Sequence, residues 1–120
     1  MRFHLFIFFF LLFTPGLSGM AEGYEIRFSI PPARGDTLVL GHRFNASFVP
    51  QDTVITDGQG RGIFRGKKSL PEGMYLVFFP DQRFFDLLIG TDQHFEFQTD
   101  TGDFATQMLI KGSVDNEAFY

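Results

Sequence analysis

Carboxylates set among apolar residues are the first candidates for chemistry in this chain. Asp86 lies between Phe84-Phe85 and Leu87-Leu88, and Asp81 stands just before them in a Pro80-Asp81-Gln82 turn. A carboxyl placed between apolar faces has its pKa raised and can act as an acid, as one member of a glycosidase pair must. Strand alternation argues the other way: if Phe85, Leu87 and Ile89 point inward, Asp86 points outward with Phe84 and Leu88, which makes it structural or partner-facing. His42 and His94 are the histidines beyond the amino-terminal segment. Catalytic zinc usually takes three protein ligands, and His94 alternates out of its strand beside Glu96, so a surface cross-strand role is expected. Ser, His and Asp all occur, but none sits in a nucleophile-elbow pattern. Gly58, Gly60 and Gly62 lack the third glycine spacing and the following helix of a dinucleotide loop. The chain has no cysteine, so it carries no thiol chemistry. The sequence therefore predicts no catalytic, cofactor-binding or metal-binding residue.

The aromatic content says more. Of 18 phenylalanines, six (Phe3, Phe6, Phe8, Phe9, Phe10, Phe13) precede residue 14 and twelve lie beyond residue 21. Phe78-Phe79 and Phe84-Phe85 each put one ring on either face of a strand. One face closes the core. The other must be covered by a second sheet, by further chain or by another protein, because large bare apolar patches are uncommon on soluble monomers.

The elements that hold these rings read as strands. Met74 to Phe79 is apolar at every position, as in a strand covered on both faces. Arg83 to Ile89 follows, and after Gly90-Thr91-Asp92-Gln93 the residues Phe95 and Phe97 alternate with His94, Glu96 and Gln98. Residues 74–98 are thus expected to form a three-stranded antiparallel meander. Upstream, Tyr24, Ile26, Phe28 and Ile30 alternate with polar residues up to Pro31-Pro32, and Thr37 to Phe44 is a second strand. Asn45 to Pro50 reads as a polar connection, and the Asn45-Ala46-Ser47 sequon within it as a loop. Asp52 to Thr56 and Gly62 to Arg65 flank Asp57-Gly58-Gln59-Gly60-Arg61, where Asp-Gly favours a hairpin. Downstream, Met108 to Ile110 is a short strand, and Ser113 to Glu117 has the residue types of a helix cap and first turn. Seven or eight strands with turns every 8–12 residues point to an all-β fold, an antiparallel sandwich or partly open barrel, with the start of a helix at the carboxyl end.

Residues 1–21 have a signal-peptide layout. Arg2 precedes an uncharged run whose apolar stretch from Leu5 to Phe13 is nine residues long, against roughly 20 for a membrane-spanning helix. Gly19-Met20-Ala21 offers small residues to a signal peptidase, so cleavage after Ala21 is expected and a membrane association only if the segment is retained. Removing Arg2 leaves nine basic against fourteen acidic residues, a net charge of −5. Nothing invites nucleic acid: Arg61, Arg65, Lys67 and Lys68 read as a solvated hairpin edge. The organisation is then a signal peptide over 1–21, a β-sandwich module over 22–112 and, over 113–120, the start of a helix leading to a missing or absent carboxy-terminal region.

The residues Asp52-Thr53, Gly58 to Phe64, Pro71-Glu72-Gly73-Met74-Tyr75, and Gly112-Ser113 with Asn116 and Phe119 together carry a resemblance. The chain resembles the amino-terminal β-rich domain of unknown function that precedes thioredoxin-like domains of the TlpA/ResA type in exported proteins of Gram-negative bacteria. Its motifs there are a strand beginning Asp-Thr, a Gly-Phe hairpin, a Pro-x-Gly-x-Tyr strand and a Gly-Ser-x-x-Asn helix start. The resemblance covers residues 23–120. It implies a periplasmic, non-catalytic accessory module whose partner is an adjoining thioredoxin-like domain or another envelope protein, with no cofactor of its own. The lipoprotein cysteine of many such proteins is missing here, and no catalytic residue is carried over. The other reading is a free-standing periplasmic domain that binds a peptide or glycan.

Overall fold

The computed structural model describes residues 23–120; the expected signal segment and its cleavage point lie outside them. Eight strands form two four-stranded sheets and no closed barrel: β1 (Tyr24–Ser29), β2 (Thr37–Phe44), β3 (Ser47–Ile55), β4 (Arg61–Gly66), β5 (Gly73–Phe78), β6 (Phe84–Ile89), β7 (His94–Gln98) and β8 (Leu109–Lys111). The first sheet runs β4-β1-β7-β8 and the second β3-β2-β5-β6. The described residues also include a 3-10 turn, Pro31–Ala33, and two short α-helices, α1 (Phe104–Gln107) and α2 (Val114–Phe119).

Alternation decides which side chains meet. Ile26, Phe28, Phe64, Phe95 and Phe97 of the first sheet and Leu38, Leu40, Tyr75, Val77, Phe85 and Leu87 of the second are all buried in one core. Phe97 stacks on Phe28 at 5.5 Å and takes Phe85 of the opposite sheet edge-on at 5.4 Å, the offset and edge-to-face geometries that aromatic pairs favour.

The structure departs from the sequence reading in four places. Asn45 to Pro50 is not a connection: Asn45 and Ala46 are the whole turn, with Asn45 at φ 58°, and β3 starts at Ser47, paired with Phe44. Asn tolerates that left-handed conformation, which suits a two-residue hairpin. Residues 57–61 do not close a hairpin, because β3 pairs with β2 and β4 pairs with β1. The turn is an arch between sheets. Asp57 Oδ1 accepts the N–H groups of Gln59 and Arg61 at 2.8 and 2.9 Å, and the Gly60 carbonyl accepts from Ile30 N at 2.8 Å. Gly60 has φ 78°, and a Cβ there would lie 2.1 Å from the Ile30 oxygen, so only glycine can carry the chain this close beneath β1.

The meander is also broken. β5 and β6 pair antiparallel as expected, but β7 crosses to the first sheet and runs parallel to β1. The link is fixed by the buried Gln93 carboxamide, which accepts from Leu70 N at 2.8 Å and donates to the Leu70 and Gly90 carbonyls at 3.0 and 2.9 Å. Finally, Phe104–Gln107 is a helical turn that the sequence reading left unassigned, capped by the Asp103 carboxylate on Thr106 N at 3.2 Å. At the carboxyl end Ser113 does cap α2, with Asp115 and Glu117 in its first turn. No helix among the described residues is long and apolar enough to cross a membrane.

Candidate surface on the second sheet

Both open sides of the sandwich are closed by a side chain bonded to backbone. On one, Asp52 at the corner of β3 accepts the Arg65 N–H of β4 at 3.0 Å and the Tyr24 hydroxyl at 2.8 Å through the same oxygen. Burial, and then this carboxylate, push the Tyr24 phenol well above its ordinary range. On the other, α2 lies beside β6: Asn116 Oδ1 accepts from Leu88 N at 2.8 Å and Asn116 Nδ2 donates to the Leu88 carbonyl at 2.7 Å. The Tyr120 hydroxyl adds a bond to the Asp86 carbonyl. Two of the motifs behind the family resemblance, Asp52-Thr53 and Ser113-x-x-Asn116, thus supply the closures.

With the β6 edge closed by Asn116, the second sheet offers its outer face. The ring of Phe48 lies on Gly41, where a Cβ would come within 2.2 Å of it. From there Phe48 meets Phe78 at 5.5 Å, and Phe78 meets Phe84 at 6.1 Å with the rings 8° from parallel. Three strands therefore contribute to one row of rings. Leu76 and Met74 lie on the same face, by the alternation of β5. Phe84 remains 44% exposed, and the row runs over the edge of β6 into a groove of about 500 Å³ lined by Arg83, Phe84, Asp86, Phe104, Phe119 and Tyr120.

Asp86 does point outward with Phe84 and Leu88, opposite Leu76 across the β5–β6 register. Its partner is Arg43, which reaches over β5 from β2 and stops at 3.9 Å. That is an ion pair without a hydrogen bond, and Asp86 Oδ1 has no hydrogen-bond partner. Asp81 is committed elsewhere: the Arg83 backbone N–H and guanidinium bind it at 3.1 and 2.8 Å and hold its carboxyl below the usual range. The two aspartates thus face different arginines, Asp86 Arg43 and Asp81 Arg83. His42 and His94 are in different sheets. His42 stacks on Tyr75 at 4.6 Å, and His94 is exposed beside Glu25 of β1. Among the described residues no three His, Cys, Asp or Glu side chains are placed to hold a metal ion. Arg61 is bound to Asp57 and Arg65 approaches Glu25 at 3.6 Å.

Sequence reasoning identified Phe78, Phe84 and Asp86 but missed Arg43 and Phe48. Phe48 fell in the segment read as a connection, and the Arg43–Asp86 pair depends on a three-strand register that no local pattern encodes. A second groove, of about 340 Å³, crosses the outer face of the first sheet between Arg27, Ser29, Glu96, Gln98, Leu109 and Lys111.

A family model described as "Domain of unknown function (DUF4369)" matches residues 24–119. No curated protein matches the chain, and no solved structure does.

Proposed function

The chain belongs to the family described as "Domain of unknown function (DUF4369)", and we propose that it is a non-catalytic exported accessory module of a thioredoxin-like thiol-disulfide oxidoreductase, serving to position that domain or to engage a partner. The observation that carries this reading is the outward row Phe48–Phe78–Phe84. Rings in contact across three strands, with the last of them 44% exposed, are the composition of an interface core rather than of a solvated sheet face. Strand addition at β3, β4 or β6 is a poor alternative mode, because Asp52 and Asn116 occupy backbone groups at the edges of β4 and β6, and β3 carries Pro50 and a register shift. The periplasm or another extracytoplasmic compartment is the proposed location, on the layout of residues 1–21.

A second reading, a free-standing periplasmic domain that binds a peptide or glycan, draws on the groove over Arg27, Glu96, Gln98, Leu109 and Lys111, whose mixture of apolar surface with a few donors and acceptors suits such a ligand. Sequencing the gene beyond the Tyr120 codon separates the two. A thioredoxin-like segment with Cys-x-x-Cys supports the accessory module, and an early stop codon supports the free-standing domain.

A further inference from the structure

We infer that the groove between β6, α1 and the end of α2 seats a lysine or arginine side chain, next to an apolar one, on a polypeptide partner. The inference deepens the accessory role and rests on it for the partner being protein. The walls are aromatic. Phe84 and Phe119 are 44% and 50% exposed, and Phe119 meets Tyr120 edge-on at 4.9 Å. Ring faces attract cations, and a basic side chain also has an apolar stem to lay along them.

Charge selects among occupants. The lining holds two carboxylates, Asp86 and Asp103, and one base, Arg83. Arg83 is already used: its guanidinium binds the Asp81 carboxylate and the Thr101 carbonyl and sits 5.6 Å over the Phe104 ring. Asp103 caps α1. Asp86 is the group left without a hydrogen bond: Oδ1 is enclosed beside Arg43 at 3.9 Å, while the side chain as a whole is 37% exposed. An anionic ligand would meet these carboxylates head-on. A wholly apolar segment would desolvate Asp86 further without giving it a donor, which is costly. A guanidinium or ammonium pairs with the exposed part of the Asp86 carboxylate, Oδ1 staying enclosed beside Arg43, and places its stem on Phe84.

The test is a titration of the ¹⁵N-labelled protein with acetyl-Phe-Arg-amide and, separately, acetyl-Phe-Glu-amide, followed by amide chemical shifts. The expected result is saturable shifts at Asp86, Phe104 and Tyr120 with the arginine peptide alone. Asp86→Asn should weaken this binding about fivefold, the size of one exposed ion pair or cation–π contact, and Glu72→Gln in the distant 67–72 loop should leave it unchanged. Equal responses to the two peptides, or no saturable shift with the arginine peptide, overturn the inference. If that happens while a probe at position 84 still cross-links a thioredoxin-like polypeptide, the charge assignment alone is lost and the accessory role stands.

Discussion

The carboxamide of Asn116 completes the edge of β6 as a neighbouring strand would, accepting from Leu88 N at 2.8 Å and donating to the Leu88 carbonyl at 2.7 Å. Asn116 is fully buried, and its own backbone and side-chain N–H groups both reach Ser113 Oγ, at 3.3 and 2.9 Å. One residue therefore links the helix cap to the sheet edge. The place β7 would take beside β6 in a continued meander is thus filled by Asn116.

Asn116→Ala should cost about 2–4 kcal/mol, because the Leu88 N–H and carbonyl both lose their partner in a closed site. The reopened edge should also favour association. Denaturant midpoint and sedimentation velocity check the two effects, and an unchanged midpoint would show that water replaces the amide freely.

Phe97 and Gln98 are neighbours on opposite faces of β7. Phe97 contacts Phe28 and Phe85 in the core, so Phe97→Ala should cost about 3–5 kcal/mol. Gln98 is exposed, and Gln98→Ala should cost under roughly 0.5 kcal/mol. Equal, small shifts in the melting transition would contradict the register of β1 and β7.

All three tyrosines are harder to ionise than free tyrosine. Burial pushes Tyr75 up to about 12; burial and then the Asp86 charge push Tyr120 up to about 12; and Tyr24 is raised further by burial and Asp52. A folded pKa above the unfolded value of 10.0 means stability that is fully present below about pH 10 and is lost as pH rises through about 12. A spectrophotometric titration should show tyrosinate near pH 10 only in denaturant. A native titration that follows the unfolded one would contradict the burial of Tyr75 and the Tyr120 contact.

Much of this fold was legible because period-2 alternation is a local property. Tyr24 to Ile30, Thr37 to Phe44 and His94 to Gln98 each announce an inward face, and Ser113-x-x-Asn116 announces a helix cap. What alternation does not encode is the partner of each strand. Asp57-Gly58 fits a hairpin as well as it fits an arch, and it is the ladder from Tyr24–Gly66 to Ser29–Arg61, extended by the Ile30–Gly60 bond, that assigns β4 to β1. The outward aromatic row was half visible: Phe78 and Phe84 follow from strand phase. Phe48 depends on recognising that Asn45-Ala46 suffices as a turn, and Arg43 on a register set by β5. Tyr120 is held against β6 by its hydroxyl, a contact that no local pattern announces.

Export is expected to remove residues 1–21. Amino-terminal sequencing of protein recovered from the periplasm of a bacterial host should begin at Glu22, as Gly19-Met20-Ala21 suggests. An intact Met1 in the membrane fraction would make the segment an anchor.

The proposed accessory role is tested most directly by photo-cross-linking in the exporting cell, with p-benzoylphenylalanine placed at position 84 on the aromatic row or at position 98 on the opposite sheet, followed by mass spectrometry of the products. Position 84 is expected to cross-link a polypeptide segment of thioredoxin-like sequence bearing Cys-x-x-Cys, in the same chain or another, and position 98 is not. Cross-links from position 98 to that segment with none from position 84, or no such segment from either, would contradict it.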